Sequence, residues 1–147
     1  SAAALALEAF LGETDLQRTA VVGDARRNRL CVGIFRREGR SLREIAPLRL
    51  VACEHLADAL PDDMPVLSPD WSRIGPLLER LLPAERRLPE PCVPSADAVA
   101  QLLLDPEAPR IEPPLPVYLH PAVASSREGC GMERREAAAP GVTAAGG

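Results

Sequence analysis

The chain of 147 residues carries a formal net charge of −4, with 46% apolar but only 3% aromatic residues. That length suits one domain with its own core and is short for two, and the acidic balance argues against a surface that coats nucleic acid. The core has to be assembled from Ala, Leu and Val. All 17 cationic side chains are Arg, a uniformity that reads as coding bias rather than chemistry.

No apolar run approaches the length of a membrane span, and no charged stretch leads into an apolar one at the start. Cys31, Cys53, Cys92 and Cys130 form no C-x-x-C pair and have no His at ligand spacing, so neither a zinc site nor a disulfide framework is expected. A reducing, soluble compartment fits this usage. The chain begins with Ser rather than Met, and sequence upstream is expected.

In chain order, Ser1 is a candidate cap for a helix from Ala2 to Leu11, closed by Gly12, with apolar positions dense enough to be largely buried. Arg18 to Val22 reads as a strand through Thr19, Val21 and Val22, and Leu30 to Phe35 as a second, antiparallel to it. After a turn at Glu38-Gly39-Arg40, Leu42 to Leu50 continues as a third strand, where Pro47 predicts an edge or a bulge. Cys53, Leu56, Ala57 and Leu60 have helical spacing up to Pro61. Met64 to Leu67 suits a short buried strand. Ser68-Pro69-Asp70 then turns into a helix over 71–82 with Ile74, Leu77, Leu78, Leu81 and Leu82 on one stripe. Ser95 begins a last helix, Ala96 to Leu104, with Asp97 where the macrodipole favours a negative charge. The order predicts an α/β domain, a mixed sheet flanked by helices.

Beyond Asp105, a run of prolines predicts an extended chain up to Val117-Tyr118-Leu119. Residues 125–147 lack periodicity and are expected to be a disordered tail, leaving 1–124 as the domain.

The search for chemistry eliminates more than it finds. His55 and His120 stand alone, and no G-x-S-x-G elbow surrounds a serine. No metal-ligand spacing and no phosphate loop occurs; at the strand-to-helix turn Pro69 removes a donor and Asp70 repels phosphate. What remains is the charge between the first two strands, Asp24-Ala25-Arg26-Arg27-Asn28-Arg29. Arg26, Arg27 and Arg29 can grip phosphate bidentately, and hairpin tips are also charged simply because they are solvated. The residues leave both open. No catalytic set and no cofactor site emerges.

Three segments, in order, resemble the TsaB (YeaZ) family, in its C-terminal half. Val21-Val22-Gly23-Asp24-Ala25-Arg26-Arg27, followed directly by the strand Leu30 to Phe35, resembles the family's strand ending in Asp-Ala-Arg. Pro94-Ser95-Ala96-Asp97-Ala98-Val99-Ala100 resembles its late helix. Pro116-Val117-Tyr118-Leu119-His120-Pro121-Ala122-Val123-Ala124 resembles its closing Pro-x-Tyr-Leu-Arg segment. Arg29 and Cys31 replace the usual acidic residue and aromatic, Ser68-Pro69-Asp70 replaces a Gly-rich turn, and His120 replaces Arg. The segments of the family's first half are missing.

The resemblance implies one half of an actin-like ATPase (ribonuclease H-like) fold. It also implies a non-catalytic bacterial cytoplasmic subunit, working with TsaD-like and TsaE-like partners to place threonylcarbamoyl on an adenosine beside the tRNA anticodon. The chain would then meet tRNA indirectly and need no membrane, metal or cofactor. Asp24 would be a structural turn residue, with Arg26, Arg27 and Arg29 facing a partner or phosphate. The competing expectation is a fragment of an actin-fold kinase or hydrolase whose nucleotide site lies in a missing N-terminal half.

Overall fold

The computed structural model describes residues 1–88 and 93–108. The Pro-rich segment with Tyr118 and His120, the tail 125–147, and Cys92 and Cys130 lie outside the described residues. So does the proposed domain boundary at 124.

Helix α1 (Ala2–Gly12) buries Ala3, Ala4, Leu5, Ala6, Leu7 and Phe10. Its termini differ from expectation. Ser1 holds the N-cap position but makes no side-chain cap bond, and Gly12 is the last helical residue rather than the stop. Glu13 ends the helix by going extended while its N–H still donates to the Ala9 carbonyl at 2.9 Å. An extended C-cap reverses the chain without a left-handed residue, so glycine is not needed there.

The sheet contains β1 (Arg18–Asp24), β2 (Arg29–Glu38), β3 (Ser41–Ala52) and β4 (Val66–Leu67), in the order β3-β2-β1-β4. Strand β1 (Arg18–Asp24) pairs antiparallel with β2 (Arg29–Glu38), in register from Arg18 opposite Arg36 to Asp24 opposite Leu30. On its other side β1 runs parallel to β4 (Val66–Leu67), with Ala20 beside Val66 and Val21 beside Leu67. A central strand covered on both faces should be apolar throughout rather than alternating, and Thr19 to Gly23 are all buried. Ala20 and Val22 point to one side, into a core with Val32, Val66, Ile74 and Leu78. Val21 points to the other, against Leu5, Ala6, Phe10 and Leu67. Helices therefore cover both faces, with α1 and α3 (Ala96–Leu104) on one and α2 (Trp71–Leu81) on the other.

Strand β3 (Ser41–Ala52) follows a tight turn in which Gly39 takes φ 64°, a value that favours glycine. It lies at the sheet edge, and its register against β2 slips between Val32 and Ile34. Pro47 falls in that bulge, so both expectations for it hold, and its missing N–H removes no ladder bond.

Cys53 to Leu60 does not form the expected α-helix. A 3-10 turn covers Cys53–His55, and turns follow it to Pro61. The helical spacing still does its work, since Cys53, Leu56 and Leu60 are buried, but eight residues before a proline are too few to offset helix nucleation. Helix α2 (Trp71–Leu81) buries Ile74 and Leu78, with Leu77 and Leu81 partly buried beside them. Beyond it Arg86 is drawn in, donating through Nε to the Met64 carbonyl at 3.1 Å and through Nη2 to the Pro61 carbonyl at 2.8 Å. Helix α3 (Ala96–Leu104) starts at Ser95 as its cap, with Asp97 in the first turn.

Among the described residues, no helix is long and apolar enough to cross a membrane.

Candidate functional site

The charged stretch between β1 and β2 closes over four residues, Ala25 to Asn28. The Ala25 N–H donates to the Arg29 carbonyl at 3.1 Å, and the Arg29 N–H to the Arg26 carbonyl at 3.0 Å. Between them Arg26, Arg27 and Asn28 have φ of 65°, 51° and 57°. Three successive left-handed residues, none glycine, cost roughly 1–2 kcal/mol each, Asn least. Several bonds offset that strain. Asp24 Oδ1 accepts the Arg26 N–H at 2.8 Å, Asn28 Nδ2 donates to Glu54 at 3.2 Å, and the Asn28 carbonyl accepts the Cys53 N–H at 3.1 Å.

The foot of the hairpin is tied to the turn that starts α2. Because β4 runs parallel beside β1, both strands end at the same edge of the sheet, and Asp70 arrives next to Asp24. The Asp24 N–H donates to Asp70 Oδ2 at 2.9 Å. Asp70 holds the N-cap position of α2 but makes no side-chain cap bond; its carboxylate serves β1 instead, and its own N–H donates to Ser68 Oγ at 3.0 Å. One turn into α2, Arg73 donates to Asp24 Oδ2 in a short contact and lies 3.9 Å from Asp70 Oδ1. Arg26 Nη1 is 3.7 Å from the same Asp24 oxygen.

This environment sets the charge states. The Arg26 N–H, with the Arg73 and Arg26 guanidiniums, holds the Asp24 carboxyl below the usual carboxylate range. Burial pushes the half-buried Cys31 thiol up, with the Asp70 and Asp24 charges adding to the effect, and burial also raises the Cys53 thiol. Gly23 is required by this packing: a Cβ there would stand 2.8 Å from Cys31 Sγ and 3.3 Å from Asp70 Oδ2. A groove of about 390 Å³ opens alongside, lined by Leu5, Val21, Gly23, Cys31, Pro69 and Asp70 among others. A larger groove, about 820 Å³, lies between α1, α3 and the β2–β3 turn, far from the hairpin tip, and holds Arg37, Arg40 and Asp105.

The structure thus joins Asp24 and Arg26 in one network and leaves Arg27 and Arg29 exposed. Gly23, Asn28 and Arg73 belong to the site and are not singled out by the sequence, which marks Asp70 only as a residue that repels phosphate. The Ser68-Pro69-Asp70 turn was visible, but its bond to Asp24 depends on a parallel strand pairing between segments 46 positions apart. Among the described residues, no group of three His, Cys, Asp or Glu side chains stands close enough to hold a metal ion. His55 lies 3.8 Å from the exposed Asp58.

No protein-family model matches the chain, and no curated protein matches it. Solved structures do, and two of them are described here. The first is described as an uncharacterized protein with similarity to peptidase YEAZ, from Pseudomonas aeruginosa; it is 22% identical, with a TM-score of 0.57 over 81% of this chain and 56% of its own. The second is YeaZ from Pseudomonas aeruginosa, 19% identical, with a TM-score of 0.53 over 69% of this chain and 46% of its own. The fold is YeaZ-like. It is a four-stranded mixed sheet flanked by helices, of the actin-like (ribonuclease H-like) kind. The chain spans about half the length of the YeaZ-like structures it matches.

Proposed function

We propose that this chain is a non-catalytic, TsaB-like subunit that supports threonylcarbamoyl transfer to the adenosine beside the tRNA anticodon. It would act in the cytoplasm beside TsaD-like and TsaE-like proteins, corresponding to the C-terminal half of the family. The observation that carries this reading is the YeaZ-like fold over 81% of the chain. The sequence likeness at Val21 to Arg27 supports it, because that stretch forms the hairpin foot described above.

The chemistry of the site supports a scaffold over an enzyme. Asp24 and Asp70 are spent on backbone N–H groups and on Arg73, which leaves neither as a free base. The Cys31 and Cys53 thiols are raised, the reverse of an activated nucleophile. The word peptidase in the description of the first comparison structure belongs to that protein.

The test is co-purification of the chain with a TsaD-like protein, followed by a threonylcarbamoylation assay with and without it. A stable complex that supports modification is expected, together with no ATP turnover by the purified chain. ATP hydrolysis that survives purification and vanishes in Asp24→Ala would overturn the reading.

A further inference from the structure

We propose that the outer face of α3 is the contact surface of a two-fold dimer of this chain. Two α3 helices pack antiparallel, and Asp97 of each copy pairs with Arg40 of the other. The dimer does not depend on the function proposed above and is measured on the purified chain alone.

Helix α3 is apolar on two opposite sides. Ala98 is buried, and Leu102, one turn on, packs into the core with Phe10 and Leu67, which makes one inward stripe. Ala96, Val99, Ala100 and Leu103 have the i, i+3, i+4, i+7 spacing of a second stripe, and all four are exposed. Leu103 and Leu104 are 71% and 83% exposed, and Leu11, which lines the large groove beside Leu104, is exposed as well. Single apolar side chains at a surface need no explanation, but a contiguous stripe marks a contact. A helix that is apolar nearly all round belongs under cover.

Two charges at the ends of the stripe indicate what covers it. Ser41 Oγ donates to Asp105 Oδ2 at 2.6 Å, which ties the β2–β3 turn to the C-terminal end of α3. That bond holds the exposed Arg40 beside Leu104 in the wall of the groove. At the opposite end Asp97 stands exposed in the first turn. Among the described residues, neither the Arg40 nor the Asp97 side chain has a hydrogen bond or ion pair. Asp97, Gln101 and Leu104 are spaced i, i+4, i+7 and share one flank of α3, the flank that lines the groove at Gln101 and Leu104.

A second copy fits this arrangement. A two-fold axis normal to the plane of two antiparallel helices keeps each flank on its own side. It also sets the first turn of one helix against the last turn of the other. Asp97 then meets Arg40 of the partner copy at both ends, and the uncharged stripes meet between them with no like charges opposed. A two-fold contact requires a self-complementary surface, and an apolar centre with opposite charges at its two ends is one. The nine residues of α3 span only about 13 Å, so the contact is small and the dimer is weak, forming at micromolar concentration.

The test is sedimentation equilibrium of the full chain over a wide concentration series, in reducing buffer so that no thiol links two copies. The apparent mass should climb with concentration towards twice the 15.7 kDa of the chain. Val99→Gln with Leu103→Gln should weaken association more than about tenfold, because the apolar area it buries is lost. Arg40→Asp and Asp97→Arg should each weaken it about three- to tenfold, and the two together should restore it, since both pairs re-form with reversed signs. Thermal melts of dilute protein show that folding is intact. If Asp97→Arg melts lower, through losing a favourable charge in the first helical turn, the salt dependence of parent and Arg40→Asp is read in its place. Added salt should then weaken the parent dimer and strengthen that of Arg40→Asp. A chain that stays monomeric at every concentration leaves the stripe to a different occupant and overturns the proposal. Unchanged dimers in Val99→Gln with Leu103→Gln, a combined swap no stronger than the single reversals, or the opposite response to salt overturn it as well.

Discussion

The Asp24 N–H at the end of β1 donates to the Asp70 carboxylate at the start of α2, at 2.9 Å and 46 positions apart. That bond joins the antiparallel meander to the α2 side of the sheet, and Arg73 closes it into a ring by reaching back to Asp24. Asp70→Ala leaves a part-buried N–H without its acceptor, which typically costs about 1–3 kcal/mol. Asp70→Asn keeps an oxygen in place and should lose clearly less. Urea melts of the three proteins measure this. An Asp70→Ala midpoint equal to the parent's would show that water replaces the carboxylate at no cost.

What was legible in the sequence is what local rules decide. The β1–β2–β3 meander follows from β-branched runs and the glycine turn at Gly39, and α3 from Ser95 and the apolar spacing behind it. Pro47 marked both an edge and a bulge. The site was half legible. Asp24 and the three arginines stand in one conspicuous stretch, but Asp70 and Arg73 reach them only because two-residue β4 lies parallel to β1, and no local pattern encodes that pairing. Nor does Arg26-Arg27-Asn28 signal a left-handed run, since only Asn favours it and glycine is absent. Cys53 to Leu60 misleads for the opposite reason: its spacing records burial, which a 3-10 turn satisfies as well as an α-helix.

Stability should fall on both sides of neutral pH. Asp24 is held below its ordinary 3.8 first by the Arg26 N–H, and Glu8 and Glu38 below 4.5 by Ser95 and Arg36. The unfolded chain therefore takes up protons at these positions before the folded one does. Their contribution is whole above the ordinary carboxylate values and is lost as pH falls through the lowered ones. Cys31 and Cys53 are raised above 9.0 by burial, so their contribution is whole below 9.0 and is lost as pH climbs beyond it. Thermal midpoints at constant ionic strength should form a plateau between about pH 5 and 8 with both limbs descending. Asp24→Asn should flatten the acid limb. A midpoint that rises from pH 5 to pH 3 contradicts the account.

Ser95 fastens α3 to α1 as well as capping it. Its Oγ accepts the Ala98 N–H at 3.1 Å and donates to Glu8 Oε2 at 2.5 Å, while its own N–H reaches the same oxygen at 2.8 Å. Ser95→Ala should cost about 1 kcal/mol, the usual scale for a lost N-cap. Glu8→Ala should destabilise too, and the double variant should lose less than the two single losses combined, because both remove one shared bond. Strictly additive losses in a double-mutant cycle would mean that Glu8 and Ser95 act separately.

The last prediction concerns the strain stored at the hairpin tip. Arg27 sits at φ 51° with its side chain in solvent, so a substitution there tests backbone preference with little packing to confuse it. Glycine adopts this conformation without the steric penalty that a Cβ brings. Its gain in the folded state is partly offset by the greater freedom of an unfolded chain containing glycine. The balance predicts that Arg27→Gly raises stability by up to about 1 kcal/mol. Arg27→Val should lower it by more than that, since a β-branched side chain fits a left-handed backbone worst. Arg27→Ala keeps the Cβ and should stay within about 0.5 kcal/mol of the parent, as exposed changes do. Guanidinium chloride melts order the four proteins. Valine as stable as glycine would mean that the tip relaxes out of its left-handed run in solution.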